Sequence, residues 1–97
     1  MASIEQELDF AGKTPKELYQ AALAAYPQAG FNIWKTRVLA CLVIANTSSG
    51  DATITSNFIA RYNAPVALSM SSEELDRNTL KSYAEKFISE MHVVLDS

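Results

Sequence analysis

The 97-residue chain suffices for one domain with a modest core, and its single cysteine excludes an internal disulfide. The formal net charge of −3 and the dispersed Lys and Arg residues argue against nucleic acid, whose binding needs clustered positive charge. Residues 38–45 form the longest apolar run, far shorter than the ~20 residues that span a bilayer. Residues 1–5 lack the charged and apolar regions of a secretion signal. The sequence therefore predicts a single cytoplasmic domain, residues 1–97, with neither membrane nor nucleic acid as a partner.

The first predicted elements are a short edge strand and a helix. Residues 4–10 alternate between apolar and acidic side chains, which indicates a strand with an acidic outer face, although a frayed helix also fits. Thr14 can cap a helix whose first residue is Pro15, and Glu17 can reach back to the same cap. Small alanines along this helix indicate close packing on a sheet.

Residues 31–46 allow two interpretations, because their second half is apolar at odd and even positions alike. Such a run fits a strand buried on both faces or a buried helix. Its β-branched residues favour a strand, with a bend or bulge near residues 35–37. The polar residues 46–51 predict a turn that leads into the next strand as a hairpin.

Residues 53–70 separate into two faces by parity. The even positions are almost all apolar or small, whereas the odd positions from 53 to 63 are almost all polar. A period of two indicates a strand with one covered face and one face free to meet water or a partner. Residues 53–62 and 66–70 are either one strand kinked at Pro65 or two strands joined by a tight turn.

Residues 79–95 predict a long amphipathic helix, since apolar side chains recur there at offsets of three and four. The element order is then β-α-β-β-(β)-α, without a strand–helix repeat. This order predicts an α+β fold, with a mostly antiparallel sheet of three or four strands and both helices on one face.

No motif with a catalytic or cofactor-binding role withstands a physical test. Gly12, Lys13 and Thr14 suggest a phosphate loop, but the position of its earlier glycine is occupied by Glu7. His92 is the single histidine and has no Cys or His near it in sequence to complete a metal site. The sequence therefore predicts no catalytic residues, no metal and no cofactor, and an enzyme is the less favoured class.

A candidate partner-binding set on a sheet face consists of Trp34, Lys35, Arg37 and Arg61. If the strands on either side of the 46–51 turn pair, Lys35 or Arg37 lies near Arg61. Two or three cations beside a tryptophan would suit an anionic ligand or an acidic protein.

The favoured hypothesis is an interaction protein that works through its sheet face, as a homodimer or with another protein. The predicted helices cover one sheet face only. The apolar strand then leaves Leu39, Cys41 and Val43, or their even-numbered neighbours, without cover. Association through that face would bury them.

The alternative hypothesis is a binding module for a small apolar ligand. Its cavity would lie between the sheet and the C-terminal helix and would be lined by Phe58, Tyr62, Tyr83, Phe87 and Met91. A sheet that holds a long terminal helix resembles the helix-grip ligand-binding folds in outline, although the chain lacks several of their strands. As ordinary core residues, these side chains need no ligand.

Overall fold

Five strands and two α-helices are present in the computed structural model, which describes residues 2–10, 12–62 and 64–96. The elements in chain order are β1 (Ala2–Leu8), α1 (Pro15–Gln28), β2 (Asn32–Arg37), β3 (Leu42–Ser49), β4 (Ala52–Ile59), β5 (Val66–Ser72) and α2 (Arg77–Asp96). A short 3-10 turn, Val38–Ala40, separates β2 from β3. The strands form one sheet in the order β1-β5-β4-β3-β2, and every neighbouring pair is antiparallel.

The α+β class is confirmed, but the prediction of three or four strands is wrong because the sheet has five strands among the described residues. The segment predicted as one strand over residues 31–46 contains a chain reversal. Cys41 takes the left-handed conformation at φ 50° and donates its backbone N–H to Val38 at 3.2 Å. The predicted order β-α-β-β-(β)-α accordingly becomes β-α-β-β-β-β-α.

The alternating segment forms two strands, β4 and β5, which are neighbours in the sheet. The loop of residues 60–65 connects them, and Arg61 is hydrogen-bonded to Pro65 within it. The Nε and Nη2 atoms of Arg61 donate to the carbonyl oxygen of Pro65 at 3.2 and 2.8 Å. The predicted hairpin between β3 and β4 is present with a shorter turn, Gly50 and Asp51, because pairing continues to Ser49 opposite Ala52.

Both helices lie on the same side of the sheet, as their contacts with β4 show. On α1, the hydroxyl of Tyr26 is hydrogen-bonded to the Ser56 hydroxyl at 2.8 Å. On α2, the ring of Phe87 lies 5.9 Å from the ring of Phe58. Since Ser56 and Phe58 share the even parity of β4, the two helices cover the even face and leave the odd face bare.

The start of α2 is fixed by Asp76, whose Oδ1 atom accepts a hydrogen bond from the Thr79 backbone at 2.8 Å. The helix therefore begins at Arg77, two positions before the predicted start at residue 79. Hydrogen bonds from the Thr79 backbone and side chain lower the pKa of the Asp76 carboxyl below its ordinary value.

The cap of α1 yields a first testable prediction. The Oγ1 atom of Thr14 accepts a hydrogen bond from the backbone N–H of Glu17 at 3.2 Å. Replacing Thr14 with alanine leaves this amide without its partner and should lower the free energy of unfolding by about 1 kcal/mol. Urea denaturation measures this change. Thr14→Ser retains an oxygen acceptor and serves as the control, so an equal loss in both variants would contradict the capping role.

Candidate functional site

The sheet face opposite the helices is the candidate functional surface, and we call it the open face. Cross-strand pairing assigns its residues, because directly opposite residues share a face. Its members are Ser3, Glu5 and Glu7 of β1, Ala67, Ser69 and Ser71 of β5, Thr53, Thr55, Asn57 and Ile59 of β4, Leu42, Ile44, Asn46 and Ser48 of β3, and Asn32, Lys35 and Arg37 of β2.

The register aligns these residues in rows that cross all the strands. From β2 to β1, the first row consists of Arg37, Leu42, Ile59, Ala67 and Glu7. The second row consists of Lys35, Ile44, Asn57, Ser69 and Glu5. Each of these two rows therefore begins with a cation, has an uncharged centre and ends with an anion.

The charges form a gradient across the open face. Lys35 and Arg37 lie on the β2 edge, Glu5 and Glu7 lie on the β1 edge, and all four residues are exposed. Four strand spacings of about 4.8 Å separate the two edges, a distance of about 19 Å. Within the part of the chain that the structure describes, none of the four forms an ion pair. Their charges are available to a partner.

The centre of the open face carries large apolar side chains on β3 and β4 and small side chains on β5. Leu42 and Ile44 on β3 and Ile59 on β4 are apolar and only half-buried, and none of them belongs to the hydrophobic core. On β5, the same two rows carry the small residues Ala67 and Ser69. The face is therefore higher over β3 than over β5.

The structure distributes the predicted partner-binding residues over three places. Lys35 and Arg37 lie on the open face, and Trp34 lies at a β-bulge in β2 between Ile33 and Lys35, with 68% of its surface exposed. Arg61 lies in the loop after β4. The strands on either side of the turn do pair, but they are β3 and β4, and β3 separates β2 from β4. The pairing therefore does not place Lys35 or Arg37 beside Arg61.

Several residues of the open face were missing from the predicted set. Glu5 and Glu7 share one parity of β1, and their acidic outer face was visible in the sequence. Leu42 and Ile44 are the even-numbered neighbours anticipated as uncovered, since Val43 between them is fully buried. Only the register shows that these residues share rows with the basic ones.

The predicted ligand-cavity residues do not converge on one cavity. Phe58, Phe87 and Met91 are fully buried, and Tyr26 stacks on Phe87 with ring centroids 4.2 Å apart. These aromatic rings fill the space between sheet and helices. Two further residues lie elsewhere: Tyr83 contacts Phe31 edge-on at 6.2 Å, and Tyr62 is 80% exposed in the 60–65 loop.

A cleft of about 520 Å³ lies between the β1–α1 loop and the 60–65 loop. Arg61 lines it together with Asp9 and Lys13. The guanidinium group of Arg61 is already hydrogen-bonded to Pro65, so it stabilises the loop. Among the residues that the structure describes, no three His, Cys, Asp or Glu side chains are grouped to hold a metal ion.

No helix within the described ranges is long and apolar enough to cross a membrane. Each buried polar side-chain atom of the described residues has a hydrogen-bond partner, so none of them is left aimed into a cavity.

The sequence matches no protein-family model and no curated protein.

Proposed function

We propose that this protein is a small cytoplasmic interaction protein that acts through its open face as a homodimer. The observation that carries the proposal is the composition of that face. Leu42, Ile44 and Ile59 form a half-exposed apolar centre, and opposite charges flank it at the two sheet edges. An apolar centre with a charged rim is the usual anatomy of a protein interface. The free thiol of Cys41 fits a reducing compartment.

The dimensions of the open face support a dimer of moderate affinity. Five strands of about seven residues give a face of roughly 550 Å², from the standard strand spacing and rise. Two copies together would bury roughly 1,100 Å², near the lower limit for specific interfaces. Weak and transient complexes lie at this end of the size range, and a dimer with a dissociation constant in the micromolar range is measurable by sedimentation at about 100 µM.

The apolar-ligand alternative receives no support from the contacts within the core. Tyr26 occupies the space beside Phe87, and its hydroxyl is bonded to Ser56. A ligand between α2 and the sheet would have to displace these buried groups. The open face needs no rearrangement to bind a partner.

Replacing Ile59 with glutamate tests the proposed function. Ile59 lies on the central strand of the open face, so a carboxylate there would be desolvated in the dimer and should weaken association at least about 30-fold. Sedimentation velocity at about 100 µM should show a dimer for the wild type and a monomer for the variant. Circular dichroism verifies that the variant is folded.

The matched control is Val93→Glu, which introduces the same side chain at an apolar residue of α2 that is 61% exposed. This position lies on the helical side of the sheet, and the variant should remain dimeric. A wild type that stays monomeric at about 100 µM would overturn the proposal. So would a dimer that persists in Ile59→Glu.

A further inference from the structure

The two charged edges and the apolar centre of the open face together specify how two copies fit. We infer that the copies associate face to face about a two-fold axis parallel to β4, so that β2 of each copy lies over β1 of the other. This inference rests on the proposed homodimer.

A symmetric face-to-face dimer of a sheet has two simple choices of axis. An axis across the strands places each strand over its own copy, so that basic edge meets basic edge and acidic edge meets acidic edge. An axis along β4 exchanges the edges and keeps each row opposite itself. Arg37 then faces Glu7 of the partner subunit, and Lys35 faces Glu5 of the partner subunit. Only this second choice brings opposite charges together.

The apolar side chains of the centre favour the same axis independently of charge. With the axis along β4, Leu42 faces Ala67 of the partner subunit, and Ile44 faces Ser69 of the partner subunit. Each large residue of β3 therefore meets a small residue of β5. The other axis, which sets residue 59 over residue 53, would place Leu42 over Ser48 of the partner subunit, Ile44 over Asn46 of the partner subunit and Ile59 over Thr53 of the partner subunit. All three apolar side chains would then meet polar ones, whereas the axis along β4 sets Ile59 against its own copy and Leu42 against an alanine.

The central strand and the sheet spacing are compatible with this arrangement. β4 is the third of the five strands in the sheet, so an axis along it divides the open face into equal halves. Sheets that pack face to face lie about 10 Å apart with strands aligned within about 30°. Lys, Arg and Glu side chains are long enough to meet across that distance.

Charge reversal at the acidic edge separates the specific arrangement from general electrostatics. In Glu5→Lys/Glu7→Lys, each of the two reversals adds two positive charges, which changes the net charge from −3 to +1. A smaller net charge reduces overall repulsion between copies, yet the inferred arrangement places the new lysines against Lys35 and Arg37. Sedimentation equilibrium should therefore show self-association weakened at least about 10-fold.

The complementary variant exchanges the charges within each copy. Glu5→Lys/Glu7→Lys/Lys35→Glu/Arg37→Glu keeps the net charge at −3 and restores opposite charges across the inferred interface. Its dissociation constant should return to within about 3-fold of the wild-type value. All substituted positions are exposed, so both variants should fold, and circular dichroism verifies this.

A second measurement locates the axis without charge changes. In a Cys41→Ser background, Ile59→Cys places the two residue-59 backbones about 10 Å apart across an axis along β4, with their thiols closer still and within reach of a short bis-maleimide. The other axis places residue 59 of one copy opposite residue 53 of the other, so the two cysteines at residue 59 would lie about 20 Å apart. Cross-linked dimer in high yield supports the inference.

The outcomes distinguish this inference from the proposed function. A monomeric wild type defeats both. Two results with a dimeric wild type overturn the inferred axis and leave the homodimer in place. One is association that Glu5→Lys/Glu7→Lys leaves unchanged or strengthens, and the other is a quadruple variant that does not recover wild-type affinity. Absence of cross-linking through residue 59 in a proven dimer has the same meaning.

Discussion

Replacing Phe87 with alanine should lower the free energy of unfolding by about 3–5 kcal/mol. The ring is fully buried, stacks on Tyr26 at 4.2 Å and meets Phe58 edge-on at 5.9 Å. It joins α1, α2 and β4 at one point, so its removal leaves a cavity that no single element can close. Domains of this size are stable by only about 5–15 kcal/mol, and the variant should unfold at much lower urea concentration.

The control for this prediction is Val93→Ala on the same helix. Val93 is 61% exposed, and its truncation should change the free energy of unfolding by less than about 0.5 kcal/mol. Urea denaturation followed by circular dichroism measures both variants. A loss below about 1 kcal/mol for Phe87→Ala would show that the three elements do not depend on this ring.

The second large effect is a loss of stability at alkaline pH caused by Tyr26. Desolvation by burial raises the pKa of the Tyr26 hydroxyl far above its ordinary value of 10.0, and the hydrogen bond with Ser56 offsets this only in part. The folded state then keeps the proton while the unfolded state releases it. The stabilisation that this raised pKa gives the folded state is fully present below pH 10. It is lost as pH rises above 10, at about 1.4 kcal/mol per pH unit.

Comparison with Tyr26→Phe isolates this contribution. The variant has no hydroxyl to ionise at residue 26, so its stability should fall less steeply between about pH 10 and about pH 11. Near neutral pH it should be less stable than the wild type by about 1–3 kcal/mol, because the fully buried Ser56 hydroxyl loses its partner. Parallel alkaline declines in the two proteins would refute the role assigned to Tyr26.

The elements with a regular pattern could be predicted from the sequence. The helical spacing over residues 79–95 and the cap at Thr14 correspond to α2 and α1, and the parity of residues 53–70 gave the covered and open faces. The reversal at residues 38–41 could not be anticipated in this way. It contains neither Gly nor Pro, and Cys41 supplies the positive φ that usually marks a turn residue.

The candidate site was only partly predictable, because its arrangement depends on register. Lys35 and Arg37 are predicted from the sequence as partner-binding residues. Their alignment with Glu5 and Glu7, respectively, depends on the register of all four pairs of neighbouring strands. Turn lengths and one bulge set these pairings, and neither follows from side-chain alternation. Arg61 shares the odd parity of the open face, yet it lies beyond the end of β4 and bonds Pro65.

The bulge in β2 also affects the behaviour of the protein at high concentration. β2 is an edge strand, and an unpaired edge can template the addition of further strands in an open-ended fibre. The irregularity between Ile33 and Lys35 interrupts the regular spacing of backbone donors and acceptors that such templating requires. The bulge therefore disfavours the addition of strands from other chains at the β2 edge and lowers the tendency to aggregate there.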